Sequence, residues 1–440
     1  MKRILSLLLV FILALAFLAA CDTAPEGNSS YVSGNTASGG LTDISGTSSE
    51  HSSEEVSTPP ADSRVSFLAC ADNLIHPSVF YDALERAAAK KGVAPDYSDL
   101  HTADYDFLSM YEYVADAIAA ADISYLNQET LIGGKSGKII GYPCFNSPDA
   151  VAQTDYELGF DVINVAHNHM LDSGNDKYLK NCAELFGSMG LTVIGYYPTK
   201  SSLSEIPVIE KNGIRVAFLS YTYGTNGIKL PAGSETVVPY FSEELLREQV
   251  PLARSVADFV IVSCHWGDEN TYNTNEEQRK YAALLTELEV DVALGMHPHV
   301  IQPMEWQTSS SGHKTLVVYS LGNFLSGMQK GSNVLEGMLS LDIVKDGVTG
   351  EVRIEAPTFI PVVNHYVYRG GRFYNDTGYR DFKIYYLSDY TEELAAAHYA
   401  KQYDAAKGKT LVGGAFTREN LIKTVQKYIP AEFLPAEFRQ

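Results

Sequence analysis

Basic side chains are scarce in this sequence of 440 residues, where 33 lysines and arginines stand against 54 aspartates and glutamates and leave a formal net charge of −21. An acidic excess of this size argues against a nucleic-acid-binding protein, which would present a basic face. Cysteine is also sparse, with five residues in the chain. Hydrophobic residues nonetheless make up 45% of the sequence, which is ordinary globular usage and excludes disorder throughout.

The first twenty residues have the layout of a signal peptide. Lys2 and Arg3 precede an apolar run over residues 4–20, which is short for a stable membrane span. The run ends in the letters LAAC, which resemble a bacterial lipobox and predict a lipid on Cys21. A plain secretory signal or an uncleaved anchor is the alternative. We therefore expect an extracytoplasmic protein that is anchored to the cell membrane by its N-terminal lipid.

Residues 21–63 predict a disordered tether. Of the 42 positions from 22 to 63, 21 are Ser, Thr or Gly, and seven are acidic while none is Lys or Arg. Such a segment cannot bury enough apolar surface to offset the entropy lost on ordering. We expect one globular domain over residues 64–365 and a helical C-terminal extension, packed on that domain, over residues 366–440.

Four cysteines remain if Cys21 is acylated, and their state is open between two alternatives. Disulfides are permitted on the oxidising side of a membrane, and four thiols allow three full pairings. Cys70 and Cys264 end apolar runs of the strand type. That position favours buried free thiols.

From residue 65 the chain alternates short apolar runs with helical patterns, which predicts an α/β fold. The runs of the buried-strand type fall at 65–71, 123–126, 160–166, 259–264 and 290–294, and further strands are predicted at 315–321, 334–344 and 350–359. Helices are predicted over 104–121, 147–158, 175–189 and 392–406. Asn212-Gly213 between two strand-like segments signals a hairpin, so the sheets should be mixed. Thr274 with Glu277 predicts a capping box at the start of another helix.

Polar side chains follow the buried strands, where open α/β sheets bind their ligands. They are Asp72, Glu129, Asn168 with His169, His265, His297 with His299, and the segment 320–324 that contains Asn323. Imidazoles, carboxylates and an amide suit Zn, Mn or Fe, and the thiolates of a structural zinc site are missing from this set. Each residue alone is a weak signal. Their joint placement predicts one metal site, and the inventory matches a bridging carboxylate with terminal ligands around two ions.

His169 and Asp172 are the candidate catalytic pair. A helical loop would bring the Asp172 carboxylate back onto the imidazole three residues earlier and fix its tautomer. His169 could then protonate a leaving group. As substrate contacts we expect Tyr221, Tyr223 and Asn226, which follow a strand, together with Trp266 and Asn323 beside the metal ligands.

These segments resemble the bacterial capsule-synthesis family called CapA, the poly-γ-glutamate synthesis proteins, whose domain is similar to calcineurin-like metallophosphatases. The matching motifs are ADNLI (71–75), NQET (127–130), AHNHMLDSG (166–174), HWGDE (265–269), GMHPHVIQ (295–302) and SLGNF (320–324). They occur in the family's order over about residues 65–345. The resemblance implies a metallophosphatase-like four-layer sandwich of mixed β-sheets flanked by helices. It also implies one or two divalent ions (Mn, Zn or Fe), with His169 as acid and ligands from Asp72, Glu129, Asn168, His265, His297 and His299.

The sequence departs from the family's pattern at Ala71, Gln128, His167 and Met296, none of which is an assigned ligand. We expect His167 to be an exposed spectator, with an extra ligand or a substrate contact as alternatives. Ordinary metallophosphatases carry a His two residues after the first Asp, where Leu74 stands here. His76, four residues after that Asp, is not expected to substitute, so a mononuclear site is the alternative to a dinuclear one.

The resemblance implies a surface lipoprotein of capsule or poly-γ-glutamate biosynthesis that performs metal-assisted attack on an amide or ester of an anionic polymer. Its partners would be that polymer, the membrane and polymer synthase subunits, and no nucleic acid. Two alternatives remain: an extracellular metal-dependent phosphoesterase, and a non-catalytic lipoprotein that serves as scaffold for a polymer synthase complex.

Overall fold

The computed structural model describes residues 61–373 and 375–439. The predicted signal peptide, the lipidation site Cys21 and the tether as far as residue 60 lie outside the described residues. The strands of the described part are β1 (Ser63–Asn73), β2 (Ile123–Asn127), β3 (Val162–Asn164), β4 (Thr192–Ile194), β5 (Val208–Lys211), β6 (Ile214–Thr222), β7 (Phe259–His265), β8 (Val292–Met296), β9 (Ile301–Thr308), β10 (Lys314–Leu321), β11 (Asn323–Leu325), β12 (Leu335–Lys345), β13 (Val352–Tyr368) and β14 (Tyr379–Tyr386). The α-helices are α1 (Pro77–Lys91), α2 (Ala115–Ala120), α3 (Ala150–Leu158), α4 (Lys177–Ser188), α5 (Glu243–Val256), α6 (Glu276–Glu287), α7 (Glu392–Ala397), α8 (Tyr399–Lys407) and α9 (Arg418–Tyr428).

An eight-stranded mixed sheet contains the first strands of the domain. Its order is β14-β13-β12-β1-β2-β3-β4, and the short β11 also pairs with β1. Strands β1 to β4 run parallel to one another, whereas β12, β13 and β14 are antiparallel to their neighbours. Helices α1, α3 and α4 lie in the connections between the parallel strands. Since such crossovers are right-handed and all step in one direction, these helices share one face of the sheet.

A six-stranded mixed sheet holds the middle of the chain in the order β5-β6-β7-β8-β10-β9. Its four central strands are parallel, and the two outer ones are antiparallel to their neighbours. The predicted hairpin joins β5 to β6, where Asn212 and Gly213 have φ values of 51° and 77°. Positive φ at both central residues is what a tight hairpin turn requires, and Asn-Gly supplies it at little cost.

Two apolar cores place the sheets between layers of helix. One core includes side chains of both sheets, such as Phe67 and Phe218, whose ring centroids are 6.4 Å apart. The other packs Leu246 and Val250 of α5 and Leu285 of α6 on the outer side of the six-stranded sheet. The predicted four-layer α/β sandwich with mixed sheets is therefore confirmed.

Several local predictions need correction. The helix expected over 104–121 is an α-helix only at Ala115–Ala120, because the preceding segment bonds to α1 through Asp106 N and Ala83 O instead. The capping box of α6 is formed by Asn275 and Gln278, one residue later than predicted. The C-terminal extension is not purely helical: β13 runs past residue 365, and β14 completes the eight-stranded sheet.

The cysteines of the described part are free thiols, and those at 70, 182 and 264 are buried while Cys144 is partly exposed. The expectation of buried free thiols is confirmed for Cys70 and Cys264. Across residues 61–373 and 375–439, no helix combines the length and the apolar character that a bilayer crossing needs.

Candidate metal centre

The carboxyl ends of the parallel strands of both sheets converge on one buried cluster. Asp72 belongs to the end of β1, Glu129 follows β2 by two residues, and His265 is the last residue of β7. His297 and His299 follow β8 on a turn around Pro298. All five side chains are 3% exposed or less. Strand direction thus brings together residues that are more than 200 positions apart in the sequence.

Two overlapping triads of potential ligands share one carboxylate. Glu129 with His297 and His299 forms one triad, and Asp72 with Glu129 and His265 forms the other. Within each triad the potential ligand atoms lie within 4.8 Å of one another. This is the arrangement expected of a bridging carboxylate between two ions, each with terminal ligands of its own.

Glu129 is the clearest indication that the cluster suits a cation. Both carboxylate oxygens are buried and have no hydrogen-bond partner among the described residues. Burial raises the pKa of Glu129 well above its usual range, and the nearby Asp72 charge raises it further. A buried carboxylate without a partner is costly, and binding of a divalent ion would remove that cost.

The imidazoles are prepared to act as neutral ligands. Burial lowers the pKa of His265 and of His297 well below the ordinary value, and neighbouring imidazoles lower each further. The Nδ1 atoms of both rings are buried without partners in the described part of the chain. Neutral imidazole is the form that binds metal, so these residues fit a divalent ion of the Zn, Mn or Fe class.

A chain of amide hydrogen bonds holds Asp72 in place. Asn127 Nδ2 donates to Asp72 Oδ1 at 2.6 Å, and Asn164 Nδ2 donates to Asn127 Oδ1 at 2.7 Å. Ser220 Oγ donates to Asn164 Oδ1 at 2.5 Å. The backbone N–H of His297 donates to the other oxygen of Asp72 at 3.0 Å. These partners orient the carboxylate, as outer groups commonly do for metal ligands.

The His-Pro-His turn holds two imidazoles in a strained backbone. His297 and His299 have φ values of 96° and 56°, in the left-handed region that side chains other than glycine rarely occupy. Each costs about 1–3 kcal/mol unless surrounding contacts fix it. Here the Asn270 N–H donates to Pro298 O at 2.8 Å, and Asn333 Nδ2 donates to His299 O at 2.8 Å.

Asn323 positions a ligand from a fully buried place. Its Oδ1 lies 3.0 Å from His299 Nδ1, and its Nδ2 donates to Asn333 O at 2.9 Å. With the Nδ1 proton directed at Asn323, the Nε2 of His299 is left to face Glu129 Oε1, 3.7 Å away. The expectation that Asn323 contacts substrate is therefore corrected, because both the oxygen and the nitrogen of its amide bond to other residues of the protein.

His169 and Asp172 meet as the spacing predicts. The Asp172 N–H donates to His169 O at 3.2 Å in a tight turn, and His169 Nδ1 lies 2.9 Å from Asp172 Oδ2. The Phe145 N–H also donates to that carboxylate oxygen, at 2.7 Å. The Asp172 carboxylate accepts the Nδ1 proton, so Nε2 is the atom that remains for proton transfer.

Asn168 and Asn226 border the cluster. Asn168 Oδ1 lies 3.1 Å from His265 Nε2, so the predicted amide ligand is beside the second triad. Its Nδ2 donates to Asn226 Oδ1 at 3.2 Å, and Asn226 Nδ2 is 3.4 Å from His169 Nδ1. Asn226 therefore connects the loop after β6 with the candidate catalytic pair.

Two predicted substrate contacts lie in the core instead. Tyr221 is fully buried and donates to Gln249 Oε1 at 2.9 Å, on the side of β6 that faces α5. Trp266 is fully buried and donates from Nε1 to Tyr319 O at 2.9 Å. Among the predicted substrate contacts, Tyr223 lies at the site, as Asn226 does. Tyr223 is 38% exposed, and its ring centroid is 4.5 Å from that of His297.

His167 is not the exposed spectator that was expected. It is fully buried, its Nδ1 accepts from the His169 N–H at 3.1 Å, and its ring centroid is 6.0 Å from that of His265. Burial lowers its pKa well below the ordinary value. The ring is thus part of the support beneath the candidate acid.

Sequence reasoning missed the supporting polar groups. Asn127 and Asn164 end β2 and β3, so their position at strand ends was a usable signal. Glu336 of β12 is fully buried, and neither of its oxygens has a partner among the described residues. Burial, with the Asp72 charge second, raises its pKa well above the usual range. A charged residue inside the apolar run 334–344 was the signal for it.

The ligand cluster lies inside a region of the chain that matches a known protein family. The family model of the bacterial capsule synthesis protein PGA_cap matches residues 66–328, which include the ligand cluster. The PGA biosynthesis protein CapA of Bacillus subtilis is 31% identical over 180 residues, which are 38% of this chain and 43% of that protein. The capsule biosynthesis protein CapA of Bacillus anthracis is 31% identical over 177 residues, 38% of this chain and 41% of that protein. The alignments thus span less than half of each relative.

Among solved structures, the chain is similar to the calcineurin-like phosphoesterase YfkN of Bacillus subtilis. The sequence identity is 14%, the match covers 83% of this chain and 97% of that one, and the TM-score is 0.37.

Proposed function

The chain belongs to the bacterial capsule synthesis protein family, and we propose that it acts in capsule or poly-γ-glutamate biosynthesis as a metal-dependent hydrolase or transferase of an anionic polymer. The observation that carries this proposal is the pair of buried triads that share Glu129. A partnerless carboxylate bordered by neutral imidazoles has little structural use without a cation. The polymer substrate is proposed from family membership, because the names of the CapA relatives refer to capsule or PGA biosynthesis.

Asp72, Glu129, His265, His297 and His299 would hold one or two ions of the Mn, Zn or Fe class. When bound, such ions supply Lewis acidity and the local positive charge that the acidic body lacks. Long-range attraction cannot bring an anionic polymer to a chain of net charge −21, so recognition must be local.

The protein's own groups handle the proton. His169 holds its Nδ1 proton on Asp172, which leaves Nε2 to deliver a proton to the leaving group of an amide or ester. Tyr223 and Asn226, from the loop after β6, would contact the substrate beside the metal ligands.

The N-terminal part of the proposal is a lipid anchor on Cys21 with residues 22–60 as tether, which would hold the enzyme at the cell membrane near polymer synthase subunits. It is supported by the n-region, apolar run and terminal Cys of the first 21 residues. Mass spectrometry of the mature N-terminus tests it. An unmodified residue other than Cys21 at that end contradicts it.

The activity is tested by incubating the full chain, loaded with Mn²⁺ or Zn²⁺, with poly-γ-glutamate of defined length. We expect a change in polymer length that the His169→Gln variant loses by about 10²–10⁴-fold while its metal content stays the same. His313→Gln, which changes a half-buried imidazole outside the cluster, is the matched control and should keep the activity.

Failure of the metal-loaded chain to alter the polymer contradicts the proposal. Hydrolysis of a phosphodiester in place of the polymer would identify the phosphoesterase alternative. A well-folded chain that binds no metal would point to the scaffold alternative.

A further inference from the structure

None of the roles proposed for the candidate metal centre involves the side chain of His76. It occupies the N-cap position of α1, yet its side chain makes no capping hydrogen bond. Its Nδ1 instead lies 3.1 Å from the Gly327 backbone N and 3.2 Å from Leu74 O. The ring therefore spans from the end of β1 to the loop after β11.

These contacts fix the tautomer of the His76 imidazole. The Gly327 N–H can only donate, so Nδ1 must offer its lone pair and cannot carry the proton. Leu74 O already accepts from the His76 backbone N–H at 2.9 Å. Burial lowers the pKa of His76 to about 4, against the opposing effect of Leu74 O and with smaller contributions from the imidazoles of His299 and His169. The neutral ring therefore carries its proton on Nε2.

The contact with Gly327 depends on the absence of a side chain there. A Cβ at position 327 would come within 2.9 Å of His76 Cβ and of Ser78 Oγ. Real Cβ atoms avoid such distances, so only glycine allows this backbone to approach the ring. The orientation of His76 is thus set by the shape of the loop and by the hydrogen bond together.

The ring of Phe145 separates His76 from the candidate acid. Its centroid is 5.4 Å from that of His76 and 4.8 Å from that of His169, and both imidazoles meet it nearly at right angles. His76 is half-buried, and its Nε2 has no hydrogen-bond partner in the part of the chain that the structure describes. The two rings have opposite tautomers, because His169 carries its proton on Nδ1 and His76 on Nε2.

We propose that His76 is a substrate-binding residue of this site, whose Nε2–H donates a hydrogen bond to an anionic oxygen of the substrate beside the metal centre. The inference rests on the proposed function and gives it a substrate class, an oxyanion such as a carboxylate or phosphate. His169 handles the proton of the leaving group, whereas His76 holds a charged oxygen and exchanges no proton. His76 thereby fills a role in the site without being a metal ligand.

Binding of inorganic phosphate to the metal-loaded full chain, measured by calorimetry, tests the proposal. His76→Asn keeps an acceptor near Gly327 and removes the Nε2–H donor, so we expect the Kd for phosphate to rise about 10–100-fold with unchanged metal content. His76→Gln keeps an amide donor farther along the side chain and should recover part of that loss. His101→Asn, at a half-buried imidazole whose Nε2 lies 2.9 Å from Gly137 O, is the matched control.

Three results overturn the proposal: an unchanged Kd in His76→Asn, a parallel loss of bound metal in that variant, or no phosphate binding by the metal-loaded wild type. Failure of the proposed function gives a different result. In that case phosphate binds and depends on His76, while the polymer is left intact.

Discussion

The two sheets contribute chemically different halves of the candidate metal centre. The eight-stranded sheet and its loops supply oxygen donors from Asp72, Glu129 and Asn168, whereas the six-stranded sheet supplies nitrogen donors from His265, His297 and His299. Each triad draws members from both sheets. The centre therefore exists only where the sheets meet, and neither half has the mixed ligand set that suits Zn, Mn or Fe.

The halves also differ in charge and in how they are held. The oxygen half carries the carboxylates and is fixed by amide hydrogen bonds through Asn127 and Asn164. The nitrogen half consists of imidazoles, and it is fixed by a strained turn and by packing against the ring of Tyr223. Buried carboxylate oxygens on one side and imidazole nitrogens on the other are a donor set that a cation completes.

The largest effect should come from the one residue that both triads share. Glu129→Gln should weaken binding of every Mn²⁺ or Zn²⁺ ion by at least about a hundredfold, because it removes the bridging charge. His265→Ala should remove only the ion held with Asp72 and leave the triad of Glu129, His297 and His299 able to bind. Metal stoichiometry and Kd of the purified chains distinguish the two.

Asp155→Asn is the matched control for that experiment, since Asp155 is a buried carboxylate that belongs to neither triad. It should keep the wild-type stoichiometry. Equal loss of bound metal in the Glu129→Gln and His265→Ala variants would contradict this prediction, because the two triads would then act as a single metal site.

A smaller effect is expected from the residues that orient one ligand in each half. Asn127→Ala leaves Asp72 Oδ1 without its donor and should weaken metal binding about 10–100-fold. Asn323→Ala frees His299 Nδ1 and should cost less, because it orients a neutral ring rather than a charge. Metal titrations measure both, with Asn181→Ala, whose Nδ2 donates to Gly133 O, as control. A larger loss in the Asn323 variant would reverse the ranking of the halves.

The smallest effect is expected from Asp155, a buried carboxylate outside the two triads. Asp155 of α3 is fully buried, its oxygens have no partner among the described residues, and burial raises its pKa well above the usual range. An unfolded Asp loses its proton near about pH 3.9, so the unfolding free energy of the protein falls as pH rises from there to the folded pKa. The slope is about 1.4 kcal/mol per pH unit.

Asp155→Asn should remove this slope and stabilise the protein at neutral and alkaline pH by about 1–3 kcal/mol. Urea unfolding at a series of pH values checks it, with Glu157→Gln on the exposed side of the same helix as control. If the Asp155→Asn variant were less stable than the wild type at pH 8, the Asp155 carboxylate would stabilise the folded protein, which contradicts this prediction.

The sequence was most informative about strand ends. Buried apolar runs mark the parallel strands, and strand direction brings Asp72 and Glu129 to one edge of the eight-stranded sheet. The packing of the two sheets then brings His265 beside them. Tyr221 was misplaced because β6 extends to Thr222 and directs the Tyr221 side chain towards α5. Trp266 was misplaced because the indole packs into the core and donates to Tyr319 O. His167 was also misjudged, since its burial depends on the second sheet.

Local signals were sometimes present but incomplete. Helix α1 begins at Pro77, a favoured first helical residue, and buries Phe80 and Leu84, yet it was not among the predicted helices. The segment 104–110 has a helical pattern, but Asp106 N bonds to Ala83 O of α1 and only Leu108–Met110 forms a short 3-10 helix. Tertiary contacts of this kind override a local pattern that is otherwise consistent.

The hydrogen bonds between the sheets have a mechanical consequence. Ser220 of β6 reaches Asn164 of β3, and Tyr125 OH of β2 lies 2.6 Å from Ser263 Oγ of β7. A slide of one sheet over the other by a single residue, about 3.3 Å, would break both links. The gap between oxygen and nitrogen donors is thereby locked against shear before any ion arrives.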